Sequence, residues 1–208
     1  MTAPSETLVG IVDDDPSVRK ALTRLVKAAG YRVEVFASAR EFLARPQEED
    51  LRCLLLDVRM PGLTGLELQE ALAIAGRRTS IVFVSGHGDV EGSVKAMKGG
   101  AIDFLTKPVD ARDLLGAIKR AVAKTFTVQR DQTQATDIQG RLKKLTAREV
   151  EVFALVVTGM LNKQIAAKLG IVEKTVKVHR ARVMEKMRAG SLAELVRLAD
   201  QAGIVAKP

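Results

Sequence analysis

The 208-residue sequence has no tryptophan, one tyrosine and one cysteine, and aromatics make up only 3% of it. Any core must rest on Leu, Val, Ile and Ala, within an ordinary 47% hydrophobic content. The lone Cys53 can close no internal disulfide. It sits in the apolar run Cys53-Leu54-Leu55-Leu56 and reads as a small buried hydrophobe, in keeping with a reducing compartment. The two histidines, His87 and His179, are far apart, and no Cys/His cluster exists to hold zinc. His87 reads as an exposed loop residue. No apolar run approaches the roughly 18 residues of a membrane span. Residues 1–7 lack the basic-then-apolar order of a signal peptide. The expectation is a cytoplasmic protein with no membrane partner.

Charge is present in excess, and its placement is informative. The net charge is +8. Residues 1–125 hold 18 basic against 17 acidic side chains, residues 126–140 one against two, and residues 141–208 fourteen against six. The whole excess lies in the last third, which suggests a polyanionic partner there. Charge alone leaves nucleic acid and a membrane surface both open.

In the first 124 residues short apolar runs alternate with helical patterns. The runs are 8–12, 32–36, 53–56, 81–84 and 102–105. Between them 17–29, 38–44, 66–75, 90–98 and 110–124 carry apolar residues at helical spacing, as in Val18, Leu22, Leu25 and Val26. Five strands alternating with five helices predict a parallel sheet covered on both faces. Residues 125–140 are polar and rich in Gln and Thr. They read as a linker, with coil and a continuation of the preceding helix both open. Residues 141–208 are all-helical in pattern, with helices at 147–158, 162–169, 172–187 and 191–202.

Ligands of such parallel sheets sit outside the carboxyl ends of the strands. Asp13, Asp14 and Asp15 follow the first strand, Asp57 the third, Ser85 the fourth and Lys107 the fifth, before Pro108. Asp15 before Pro16 reads as a helix cap. Gathered carboxylates repel and call for a cation. An all-oxygen set suits Mg²⁺. A carboxylate can also act as a nucleophile and form an aspartyl-phosphate. Lys107 and Ser85 would then hold phosphoryl oxygens.

The motifs IVDDD, LLLDVRMPGLTG, VFVSGHGDV and AIDFLTKP, in this order over about residues 7–124, resemble the response-regulator receiver domain. The resemblance implies a flavodoxin-like α/β fold with Asp57 as phospho-acceptor. It implies that Asp13, Asp14, Asp57 and the backbone carbonyl of Arg59 hold Mg²⁺. It makes Ser85 the hydroxyl switch residue, Phe104 the aromatic switch and Lys107 the phosphoryl-binding lysine, with a cis bond to Pro108.

In the basic third, the helix at 173–186 carries Lys174, Lys177, Arg180, Arg182 and Lys186 on its polar side, with Val176, Val183 and Met187 as its buried stripe. Such a helix fits the DNA major groove. LTAREVEVF, GMLNKQIAAKLGI and EKTVKVHRARVMEKM resemble the LuxR-type four-helix DNA-binding domain, so the whole chain resembles the FixJ subfamily of NarL/FixJ regulators. The resemblance implies that Lys177 and Val178 read bases, while Lys174, Thr175, His179 and Arg182 meet phosphates. Ala181 stands where some members carry a basic residue. The implied domains are a receiver at 1–124, a linker at 125–140 and a helix-turn-helix domain at 141–208. The implied partners are a sensor histidine kinase, promoter DNA and RNA polymerase, with a homodimer formed on phosphorylation and activation of transcription as the commoner role. An aspartate-nucleophile phosphatase would place a second Asp two residues after the nucleophile. Here Val58 and Arg59 follow Asp57, so the chain is expected not to be an enzyme.

Overall fold

The computed structural model describes residues 6–46, 51–77, 79–86 and 90–204. His87 lies outside the described residues. The chain divides between Gln129 and Arg130 into two compact units.

The first unit is built on strands β1 (Leu8–Val12), β2 (Arg32–Phe36), β3 (Leu51–Leu56), β4 (Ser80–Ser85) and β5 (Asp103–Thr106). All are parallel, in the order β2-β1-β3-β4-β5. Helices α1 (Pro16–Ala28), α2 (Ala39–Leu43), α3 (Gly65–Ile74), α4 (Val90–Lys98) and α5 (Ala111–Leu142) alternate with them. Side chains of a strand point alternately to its two faces, and β3 shows the result. Leu54 and Leu56 join one core with Phe42, Leu68, Phe83 and Ala96, whereas Cys53 and Leu55 join the other with Leu22, Val26, Leu114 and Ile118. A strand buried on both faces has no polar side, which is why β1 and the 53–56 part of β3 read as unbroken apolar runs.

Strand β3 begins two residues before the apolar run at 53–56. Leu51 pairs with Leu8 and is buried, and the charged Arg52 that follows hides this start. The Arg52 guanidinium lies 4.6 Å from the centre of the Phe126 ring on α5. Next to Phe126, the buried Thr125 hydroxyl donates to the Arg52 carbonyl at 2.7 Å. The first unit therefore reaches past residue 124.

Residues 125–140 form part of the single helix α5, so of the two conformations open from the sequence the chain adopts helix. At its far end Ile138 and Leu142 belong to the core of the second unit. Helices α6 (Ala147–Val156), α7 (Asn162–Leu169), α8 (Glu173–Met187) and α9 (Leu192–Gln201) close that core around Val152, Phe153, Ile165, Val176, Val183 and Leu195. Each fully buried aliphatic or aromatic side chain contributes roughly 1.5–3 kcal/mol of transfer free energy. Gly170 ends α7 at φ +65°, a left-handed turn that suits a residue without Cβ, and α8 starts three residues later.

Among the described residues of this unit one charged side chain is buried. Glu149 is 1% exposed. It accepts the Thr146 backbone N–H at 2.8 Å, which completes a capping box, and the Lys186 ammonium of α8 at 2.6 Å. The Lys186 hydrogen bond, with the Thr146 N–H, draws its carboxyl down to about 2, against the opposing effect of burial. A carboxyl depressed on folding stabilises the fold above its unfolded value, near 4.5, and loses that contribution as pH falls towards 2. Glu149→Gln keeps an acceptor for Thr146 but removes the charge facing Lys186. It should cost about 1–3 kcal/mol at pH 7. The gap between wild-type and variant urea midpoints should shrink as pH is lowered from 5 to 2.5.

Candidate phosphoryl-transfer site and nucleic-acid interface

At the carboxyl edge of the sheet the strand ends converge as the parallel topology requires. Asp57 follows β3 and its backbone N–H donates to the Val12 carbonyl of β1 at 2.9 Å, which sets Asp57 beside Asp13. One carboxylate oxygen from each of Asp13, Asp14 and Asp57 lies within 4.8 Å of the others. Asp13 and Asp57 are buried, at 2% and 8% exposure, and Asp14 is exposed. Lys107 arrives after β5 and donates from Nζ to Asp13 Oδ2 at 2.6 Å and to Asp57 Oδ2 at 2.7 Å. Its backbone N–H donates to the Ser85 carbonyl at 2.7 Å, and the Lys107–Pro108 peptide is cis.

The electrostatics follow from this crowding. Burial raises the Asp13 carboxyl above its usual range; Lys107 and the Asp15 N–H oppose that, while the Asp57 charge adds to it. Burial alone would lower Lys107. Its hydrogen bonds to Asp13 and Asp57 outweigh burial and raise it, so the ammonium is retained at neutral pH. The donor set consists of carboxylate oxygens with no sulfur or imidazole, which fits a hard divalent cation such as Mg²⁺.

Ser85 ends β4 and is buried. Phe104 lies on β5, half-buried, in register with Phe83, their ring centres 6.2 Å apart. The Arg59 backbone N–H donates to Asp57 Oδ1 at 3.2 Å. Asp15 caps α1, accepting the Ser17 N–H at 2.7 Å with Pro16 following.

Two residues at this edge did not stand out in the sequence. Arg19 on α1 is one; its Nη1 donates to the Asp13 carbonyl at 2.6 Å. Gly65 opens α3 with its N–H donating to the Val58 carbonyl at 3.0 Å. A Cβ at that position would overlap the Asp57 carbonyl oxygen and press on the Phe83 ring. The Thr-Gly pair at a helix start was the available signal: Thr64 is the cap of α3 and Gly65 is what lets the helix approach Asp57.

On α8 the residues divide by exposure. Lys174, Lys177, Val178, Ala181 and Arg182 are exposed along one face, while Val176, Val183 and Met187 are buried. Lys177 lies 3.5 Å from Glu173 in a surface ion pair, which contributes little to stability. Two others of the five cations expected on the polar side are engaged by neighbouring helices of the unit. Lys186 serves the buried Glu149, and Arg180 donates to the Asn162 side chain of α7 at 3.2 Å. Thr175 and His179 are half-buried, and the His179 Nδ1 is buried without a hydrogen-bond partner.

Gly65→Ala should shift the Asp57 loop or the start of α3, at a cost of about 1–3 kcal/mol. The urea midpoint of the first unit should fall, and Asp57 reactivity towards a small phosphodonor should fall with it.

Comparison with known proteins places both units. The family described as "Response regulator receiver domain" matches residues 9–119, and "Bacterial regulatory proteins, luxR family" matches residues 143–199. Nodulation protein W of Bradyrhizobium diazoefficiens is 44% identical over 204 residues, covering 98% of this chain and 90% of that protein. The transcriptional regulatory protein FixJ of Azorhizobium caulinodans is 40% identical, covering 97% and 95%. Among solved structures, the response regulator StyR is similar at a TM-score of 0.84 and 43% identity, covering 94% of this chain and 98% of that one. Full-length FixJ from B. japonicum is similar at a TM-score of 0.59 and 39% identity, covering 96% and 98%. A receiver on a five-stranded parallel sheet followed by a LuxR-type helical domain makes this chain a response regulator of the NarL/FixJ family, a DNA-binding transcription regulator and not an enzyme.

Proposed function

We propose that Asp57 is the phospho-acceptor of this regulator and that its phosphorylation controls binding of the helical domain to promoter DNA. The observation that carries the reading is that Lys107 lies within 2.7 Å of both Asp13 and Asp57, at the ends of three different strands. A partner histidine kinase presents a phosphohistidine. A carboxylate oxygen of Asp57 attacks phosphorus, the P–N bond breaks, and its electron pair returns to the imidazole. Asp13, Asp14, Asp57 and the Arg59 carbonyl would hold Mg²⁺, which when bound neutralises charge on the phosphoryl oxygens. Lys107, already charged and aimed at Asp57, accepts the new anion as an ion-pair partner.

The switch then depends on this chain's own side chains. Ser85 turns its hydroxyl to the phosphoryl oxygens, and Phe104 follows. The surface near β5 changes shape, and the receiver becomes competent to form a homodimer. This is a population shift driven by a local change of charge. The functional domains are proposed at 1–124 and 141–208, with 125–140, whose first residues Thr125 and Phe126 still pack on Arg52 of the first unit, as the connecting stretch. Cytoplasmic location, recruitment of RNA polymerase and a role as activator complete the reading. Among the described residues no helix is long and apolar enough to cross a membrane.

On DNA, Lys177 and Val178 are proposed to read base edges from the exposed face of α8. Lys174 and Arg182 would meet phosphates, with Thr175 and His179 at the margin of that face. Asp57→Asn should abolish labelling by acetyl phosphate and the stimulation of promoter binding that follows it. Undiminished labelling would remove Asp57 from the reaction, and unchanged stimulation would remove it from the switch. Lys177→Ala should cost about 1–3 kcal/mol on the cognate site and relax its sequence preference, whereas Arg182→Ala should weaken cognate and random DNA alike. Footprinting and filter binding over a salt series measure both.

A further inference from the structure

We infer that Arg19 is a positioning residue for the cation site, fastening the loop that carries Asp13 and Asp14 by its main chain. The inference rests on the proposed Mg²⁺ role of those carboxylates. The Asp13 side chain is held on both oxygens, Oδ1 by the Asp15 N–H at 2.9 Å and Oδ2 by Lys107 at 2.6 Å. Its backbone N–H still donates to the Phe36 carbonyl of β2 at 3.3 Å, but its carbonyl lies past the ladder, whose last β1 residue is Val12. The hydrogen bonds at the start of α1 do not reach back to it, since the Arg19 N–H goes to the Asp15 carbonyl. The Asp13 carbonyl instead takes the half-buried Arg19 guanidinium at 2.6 Å.

That carbonyl belongs to the peptide joining Asp13 to Asp14, so its direction governs where the Asp14 side chain starts. Arg19 is itself tied to α1, whose beginning is set by the Asp15 cap and Pro16. The guanidinium therefore links a rigid helix to a loop that must present two carboxylates together.

Lys107 cannot do this job alone. It donates to the Asp13 and Asp57 carboxylates themselves, the groups that would hold a cation, and so would compete with one for them. Arg19 grips a carbonyl oxygen outside the carboxylate set, and its hold persists through that competition. Removing it should loosen the metal site before it loosens the fold, because partners that orient ligands commonly change metal affinity by about tenfold or more.

The test uses the full chain as wild type, Arg19→Ala and Arg19→Lys. Binding of Mn²⁺, followed by electron paramagnetic resonance without any phosphodonor, should weaken about tenfold in Arg19→Ala and recover in part in Arg19→Lys, whose ammonium can still donate to the carbonyl. The Mg²⁺ concentration for half-maximal acetyl phosphate labelling should rise in parallel, with the rate at saturating Mg²⁺ within about twofold of wild type. Urea midpoints in chelator report the fold separately. Wild-type Mn²⁺ affinity in a folded Arg19→Ala, or a labelling defect that saturating Mg²⁺ does not relieve, would overturn the inference. Should Arg19→Ala fail to fold, Arg19→Lys decides: Mn²⁺ affinity weakened by less than about tenfold, with labelling restored by saturating Mg²⁺, keeps the inference, and wild-type affinity or a labelling defect that Mg²⁺ does not relieve overturns it. Wild-type protein that binds Mn²⁺ no better than an Asp13→Asn control would overturn the proposed cation site itself, a result distinguishable from either.

Discussion

Lys107 donates to two carboxylates that the chain brings from 94 and 50 residues away, and the receiver's chemistry depends on that bridge. Asp13 and Asp57 end adjacent strands. Lys107 ends β5, which is separated from β3 by the whole of β4. Neighbouring strands lie about 4.8 Å apart, so a side chain reaching from β5 to β3 must span roughly 10 Å. A long unbranched stem carrying a compact charge meets that requirement. Buried carboxylates brought together repel unless a positive charge lies between them. The Lys107 ammonium pairs with both and offsets that repulsion. The sheet order, the burial of both strand faces and the close approach allowed by Gly65 all serve to hold those ends in place.

The second unit meets the opposite problem, an excess of positive charge in a small helical body. Its answer is to commit some cations inward. Lys186 pairs with Glu149, Arg180 with Asn162, and Arg141 donates to the Met187 carbonyl at the end of α8 at 2.8 Å. These contacts fix α8 against α6 and α7. The exposed face of α8 is left with Lys174, Lys177, Val178, Ala181 and Arg182, a narrower set than the sequence offers. A helix held by its buried Val176, Val183 and Met187 presents those side chains on a rigid support, which is what reading base edges demands.

Much of this was legible along the chain because it is written in local terms. Period-two burial becomes an unbroken apolar run in β1 and the 53–56 part of β3, and period-3.6 spacing marks α1 and α8. Asp15-Pro16 marks a cap. The strand-end residues Asp13, Asp57, Ser85 and Lys107 could be placed on one edge as soon as the sheet was taken to be parallel. The start of β3 was not legible, because Arg52 interrupts the apolar pattern and finds its place only against Phe126. The conformation of residues 125–140 was not legible either. Their polar composition suits a coil as well as an exposed helix, and Thr125 and Ile138 reveal their anchoring only through partners distant in sequence.

The sequence by itself determined the two-part architecture, the chemical class of the acidic edge and the basic character of the last third, since each follows from residue type and spacing. The tertiary structure decided which charges face solvent and which face each other. Arg19, Lys186 and Arg180 look alike in one dimension. Their roles diverge because a hydrogen bond at 2.6 Å depends on where the fold delivers the acceptor, and neither periodicity nor composition carries that information.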